Sequence, residues 1–212
     1  MYVIAMISQK GGSGKTTLAL HLAVAAQVGS LNTAIIDLDP QASAAGWGDR
    51  RTAGPVVIST HAKRLSPELR RVRDAGADLL VIDTAPHADA SALEAARVAD
   101  LVVVPCRPSI LDVETAQTTL DLVATTGTPA IVVLNATPAW GGDAAQAEMA
   151  LRGAGMEVME VRMNHRLAFS RALLSGQTAL ETDPAGKAAD ETKGLARILL
   201  GRLHRLQEEK AT

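Results

Sequence analysis

Aromatic residues make up only 2% of this 212-residue chain, so its core must be filled by Ala, Val, Leu and Ile. That palette suits a parallel sheet covered by helices better than a β-sandwich. The single cysteine, Cys106, excludes an intrachain disulfide and a multi-cysteine metal site. No apolar run approaches the roughly 20 residues that a membrane-spanning helix needs. The first apolar run, residues 2–7, leads straight into a glycine-rich loop. No signal peptide is therefore expected, and the expected address is cytoplasmic. A net charge of -2 argues against a constitutive nucleic-acid binder, leaving any basic patch local.

What is present is ordinary for a soluble globular protein, with 47% apolar and 21% charged residues. The length suits one large domain with a substantial core. Short apolar runs at residues 2–7, 33–38, 56–59, 78–82, 101–104, 130–134 and 157–161 are strand candidates. Several are continuously apolar, as strands buried on both faces are. Helical stretches separate them. Ser66-Pro67-Glu68 supplies an N-cap, a first-turn proline and an acid in order. Asp143 is placed to cap a helix running to about residue 154. The alternation implies right-handed βαβ crossovers and a doubly wound, mostly parallel sheet with helices on both faces. Ligands of such sheets bind at the carboxyl ends of the strands. With no repeat, low-complexity segment or linker, residues 1–212 read as a single domain. No N-terminal helix-turn-helix unit is expected before the first strand.

Lys10-Gly11-Gly12-Ser13-Gly14-Lys15-Thr16-Thr17 lies between the first apolar strand and a helix from residue 16 to about 28, the context of a phosphate loop. The three glycines permit backbone conformations closed to other residues and bring N–H groups up to phosphates. The helix start adds partial positive charge where the anion sits. Lys15 is expected to neutralise β- and γ-phosphate oxygens, Thr16 to ligate Mg²⁺, and Thr17 to donate to the α-phosphate. The general pattern has glycine where Gln9 stands and does not require Lys10. The version found here resembles the deviant phosphate loop of the ParA/MinD superfamily, and the resemblance extends over essentially the whole chain.

That resemblance implies a nucleotide-dependent ATPase fold binding ATP and Mg²⁺. It also implies that Lys10 reaches across a nucleotide-sandwiched homodimer to phosphates on the partner subunit. A second cation there would stabilise charge spreading over the γ-phosphoryl oxygens and link dimerisation to the ATP state. Asp37-Leu38-Asp39-Pro40-Gln41 closes the second strand with two carboxylates two residues apart, on one side of a strand. By the resemblance, Asp39 positions the attacking water, Asp37 lies near Mg²⁺, and Gln41 begins a switch-like loop. Leu79 to Ile82 form an apolar strand ending in Asp83, which would hold Mg²⁺ through water. Pro105-Cys106-Arg107-Pro108-Ser109-Ile110-Leu111-Asp112 resembles a family segment bordering nucleotide and dimer interface. There Asp112 has either a direct role or that of a first-turn helix acid. Asn135, ending the sixth strand, either pairs with adenine or caps a turn.

One cysteine sets the nitrogenase iron protein aside, and Tyr2 as the sole tyrosine sets aside the tyrosine kinases of this fold. The Pro40-Gln41 and Thr84-Ala85-Pro86 contexts resemble the ParA branch rather than MinD, closest to compact plasmid partition ATPases. A helix at about residues 185–207 places Leu195, Leu199, Leu203 and Leu206 on one side. Lys193, Arg197, Arg202, His204 and Arg205 lie on the other. Three readings stand: a core-packed helix with a solvated face, a basic surface for nonspecific DNA, or a membrane-surface helix. Lack of Trp or Phe weakens the last. Arg166 and Arg171 would join a DNA face. The resulting expectation is an ATPase that dimerises on ATP, binds nonspecific DNA and is released by a centromere-binding or cargo adaptor that stimulates slow hydrolysis. Rival readings are a membrane-positioning switch of MinD type and a metabolic phosphate-loop enzyme.

Overall fold

The first strand, β1 (Tyr2–Met6), is buried on both faces. Val3 and Ala5 belong to one apolar cluster, Ile4 and Met6 to the other, as alternation along a strand requires. The computed structural model describes residues 1–211. Five further strands follow: β2 (Thr33–Asp37), β3 (Val56–Ser59), β4 (Leu79–Asp83), β5 (Leu101–Cys106) and β6 (Ala130–Leu134). The sheet order is β3-β2-β4-β1-β5-β6, and every pairing is parallel. The glycine-rich loop therefore leaves a central strand flanked by β4 and β5.

Helices cover both faces, as expected. On one side, α1 (Lys15–Val28), α2 (Ser43–Gly48), α7 (Leu167–Leu174), α8 (Ala179–Thr182) and α9 (Lys187–Ala211) pack on Ile4, Met6, Ile35, Val81 and Val103. On the other, α3 (Leu65–Asp74), α4 (Asp89–Val98), α5 (Ile110–Ala124) and α6 (Asp143–Gly153) pack on Val3, Ala5, Ile36, Leu80 and Val102. The core is aliphatic, and Trp47 of α2 is its largest buried side chain.

Three local expectations are corrected. The run at 157–161 is not a strand: it meets β6 only at the bridge Val132–Val158, with a second bridge at Thr137–Asn164. Between them Arg162 pairs with Glu148 of α6 at 2.5 Å, and the Met159 and Met163 N–H groups donate to the Val132 and Leu134 carbonyls. Ser66 does not cap α3, because a 3₁₀ turn at Ala62–Arg64 runs into a helix that already begins at Leu65. Asp143 is the first residue of α6 and Gly142 its cap, so Asp143 acts as a first-turn acid.

The C-terminal helix α9 starts later and ends later than the expected 185–207. Leu195, Leu199 and Leu203 are fully buried in the same cluster as Leu18, Leu22 and Val24 of α1. Its apolar stripe is core. Among the described residues that stripe is not free to lie in a membrane surface. Among the described residues no helix is long and apolar enough to cross a membrane.

Candidate functional site

Chain direction brings the polar residues together, since all six strands end on the same side. Register then fixes neighbours: Asp83 of β4 sits beside Met6 of β1 and beside Asp37 of β2. The loop after β1, Asp39 after β2, Arg107 after β5 and Asn135 after β6 line one cleft of about 450 Å³.

Two glycines shape the loop. Gly12 has φ +71° and Gly14, the N-cap of α1, has φ +96°, conformations that a side chain makes costly. A Cβ on Gly14 would lie 2.1 Å from Asn135 Nδ2. No side chain caps α1, so its first N–H groups stay available to an anion. The Lys15 ammonium is buried and donates to the carbonyls of Ser8 (3.2 Å) and Lys10 (3.4 Å). Burial lowers its pKa, against the pull of Asp83 and Asp39. Phosphate oxygens are stronger acceptors than those carbonyls, so the ammonium has reason to exchange them.

Thr16 Oγ1 donates to Asp83 Oδ2 at 2.6 Å. The other oxygen, Oδ1, is buried with no hydrogen-bond partner, as is Ser13 Oγ. Burial pushes the Asp83 carboxyl up to about 7. The Thr16 hydrogen bond and Lys15 oppose that rise, while Asp37 and Asp39 add to it. An orphaned carboxylate oxygen beside a hydroxyl is the hard donor set that Mg²⁺ takes, and these residues fit that ion. Bound there, Mg²⁺ would supply charge neutralisation to phosphate oxygens.

The two acids of the second strand part company. Asp37 is fully buried and accepts from the backbone N–H of Asp39 (3.0 Å), Ala44 (3.0 Å) and Ala45 (3.1 Å). Three of its roughly four acceptor positions are thus taken up by the turn into α2. Asp37 therefore anchors that turn while standing next to Asp83 in the register of the two strands. Burial raises its pKa, and those three amides offset part of the rise. Asp39 lines the cleft, and its carboxylate Oδ1 accepts from the Gln41 N–H at 2.9 Å. It retains acceptor capacity for a water.

Lys10 forms a 2.6 Å ion pair with Asp112, whose other neighbour is the hydroxyl of Ser109. Asp112 is in the first turn of α5, and Ser109 caps that helix. Asp112 is thus a first-turn acid of α5 that also holds the Lys10 ammonium. Asn135 lines the cleft at the end of β6. Nδ2 donates to the Ser13 carbonyl at 2.7 Å, because Gly14 without a Cβ lets it approach.

The remaining wall comes from Asn164, His165, Arg166, Leu167, Phe169 and Ser170. None of these had been expected at the cleft, and the misread strand before them had hidden the turn that brings them there. Arg166 is in this wall and bonded to Glu191 at 2.5 Å, which corrects its assignment to a DNA face. Lys193 donates to the Pro184 carbonyl (2.7 Å) and faces Asp190, and Arg202 is bonded to Glu157. Arg171, Arg197 and Arg205 are exposed.

Behind the cleft, His21 of α1 is buried between Thr17 and α8. The Ala179 N–H donates to its Nε2 at 3.1 Å, and its Nδ1 lies 2.8 Å from the Thr17 carbonyl, so the neutral ring carries its proton on Nδ1. Its ring meets Phe169 of the cleft wall edge-on at 5.0 Å. The loop after Asp39 is tied to the same region. Trp47 Nε1 donates to Gln177 O at 3.1 Å, and Arg51 bridges Gly176 O (2.6 Å) and Glu181 (2.9 Å).

Glycine loop, helix start and strand-end acid place the chain among the phosphate-loop nucleotide-binding proteins. The CobQ/CobB/MinD/ParA nucleotide binding domain family matches residues 4–179, and the chain belongs to this family, the ParA/MinD class of ATPases. It is 36% identical over 196 residues to the maintenance of carboxysome distribution protein A of Gloeobacter kilaueensis, covering 90% of this chain and 88% of that protein. Its fold matches apo McdA of Cyanothece with a TM-score of 0.80 at 18% identity, over 94% of this chain and 99% of that one. It matches the septum site-determining protein MinD of Pyrococcus horikoshii, complexed with Mg-ADP, at 0.77 and 16% identity, over 93% and 95%.

Proposed function

We propose that residues 1–212 act as one ATPase domain that binds ATP and Mg²⁺, pairs with a second copy in the ATP state, and positions a cargo over nonspecific DNA. The observation that carries the nucleotide reading is the Thr16–Asp83 pair at 2.6 Å with Asp83 Oδ1 left unpartnered beside Lys15. Catalysis rests on positioning and electrostatics. Lys15 neutralises the transferred phosphoryl group, Asp39 orients the attacking water, and the α1 amides hold the chain of phosphates. Lys10 exchanges Asp112 for phosphate of the neighbouring subunit, which makes pairing depend on the nucleotide.

Ile110, Leu111 and Leu167 are 66%, 64% and 57% exposed on segments that line or border the cleft, which supports a second copy closing over it. Arg171, Arg197 and Arg205 are the exposed cations that support DNA contact. Three per copy bind weakly. A dimer presents six, and affinity rises steeply with the number of phosphates neutralised. An adaptor that speeds hydrolysis would then release the protein. The carboxysome distribution relative makes a large cytoplasmic body, as well as a plasmid, a suitable class of cargo.

The test is retention on nonspecific duplex DNA with Mg²⁺ and either ATP or ADP at graded salt. ATP-dependent, salt-sensitive retention that weakens in an Arg171→Ala/Arg197→Ala/Arg205→Ala variant is expected. Equal retention in both nucleotides would refute the switch. ATP-dependent sedimentation with anionic liposomes and none with DNA would favour the membrane reading instead.

A further inference from the structure

The census of cations around the cleft leaves one without a carboxylate. Lys10 is paired with Asp112, Arg166 with Glu191, and Lys15 faces Asp83 and Asp39. Arg107, the residue immediately after β5, lines the same cleft and is exposed. Among the described residues its guanidinium takes part in no ion pair or hydrogen bond. It lies directly on the phosphate loop: a Cβ built on Gly12 would meet Arg107 Nη2 at 3.3 Å, Cζ at 3.9 Å and Nη1 at 4.0 Å.

An unpaired guanidinium against bare glycine backbone is unusual, because the N–H groups of such a loop offer it no acceptor. What suits both is an anion between them. The backbone of Gly12 and the fork of Arg107 present donors from two sides, and a guanidinium matches the spacing of two phosphoryl oxygens. Position along the loop narrows this further. Asn135 and the wall formed by residues 164–170 stand at the Gly14 end. Arg107 meets the loop two residues upstream, at Gly12.

We propose that Arg107 is a phosphate-reading residue supplied within the same chain, contacting the terminal phosphate of bound ATP and so setting the preference for ATP over ADP. This rests on the nucleotide reading given above. It adds to the two loop lysines a third cation, one that needs no partner subunit to reach the phosphates. Gly12 has a second purpose on this account, since a side chain there would push the guanidinium away.

The experiment is calorimetric titration of wild type, Arg107→Ala, Arg107→Lys and Lys15→Ala with Mg²⁺ and either ADP or a non-hydrolysable ATP analogue. A charge-assisted hydrogen bond to phosphate corresponds to roughly a tenfold to hundredfold change in affinity. Arg107→Ala is expected to bind the ATP analogue about tenfold or more weakly, with ADP affinity changed less than about threefold. Arg107→Lys keeps the charge but loses the fork and falls between. Equal losses for both nucleotides, or ATP-analogue affinity within about twofold of wild type, overturn the proposal. If wild type itself shows no binding, or Lys15→Ala matches it, the nucleotide reading fails instead.

Discussion

Replacing Gly14 by alanine probes the coupling between the phosphate loop and the end of β6. Two costs can be worked out. The backbone has φ +96° and ψ +21°, left-handed for an L-residue, at roughly 1–2 kcal/mol. The new Cβ would also lie 2.1 Å from Asn135 Nδ2, so the amide must leave and its 2.7 Å bond to the Ser13 carbonyl is lost. A lost hydrogen bond of this kind costs about 1 kcal/mol, bringing Gly14→Ala to about 3 kcal/mol. Asn135→Ala alone removes the same bond and should cost about 1 kcal/mol. Because one bond cannot be lost twice, the double variant should cost about 3 rather than about 4 kcal/mol. Urea unfolding of the four proteins without nucleotide, followed by far-UV circular dichroism, measures the cycle. Strict additivity, or a Gly14→Ala cost under about 1 kcal/mol, would refute the contact and the strain together.

Two perturbations away from the loop address the scaffold behind it. His21 is held neutral by burial, its pKa lowered from 6.5 to about 4. Between those values the unfolded chain binds a proton that the folded chain refuses, so stability should be unaffected above 6.5 and fall as pH drops towards 4. At about 1.4 kcal/mol per unit the loss approaches 3 kcal/mol, and His21→Gln should flatten the profile of unfolding free energy over that window. Arg51→Ala leaves Glu181 without the guanidinium that, against the opposing effect of burial, holds its pKa down. A loss of about 3 kcal/mol is expected in urea unfolding, with Arg51→Lys recovering less than half because it lacks the fork that also serves Gly176 and Gly54.

Much of what short-range chemistry dictates could be read from the order of residues, the helix starts at Ser66 and Asp143 and the run at 157–161 excepted. Continuous apolar runs located β1, β2, β4, β5 and β6, because a strand covered on both faces has no polar side to show, and a shorter apolar run marked the half-exposed edge strand β3. Gly12, Gly14, Lys15 and Thr16 announced a phosphate loop, because left-handed backbone and a cation at a helix start leave few other arrangements. The apolar stripe of α9 was visible too, though not whether it faced core, DNA or membrane.

Tertiary structure decided which partners the polar groups found. Asp37 and Asp39 look alike at the end of one strand, yet one is closed off by the amides of α2 and the other opens on the cleft. Arg166, Lys193 and Arg202 look like Arg171, Arg197 and Arg205 along the chain, but Glu191, Asp190 and Glu157 take the first three. The strand order put Arg107 over Gly12, and the bridge Thr137–Asn164 beyond β6 brought residues 164–170 to the cleft as a wall. A residue's type and near neighbours fix what it can bond. Which distant group arrives to satisfy it depends on strand order and helix docking, and those are set only when the whole core closes.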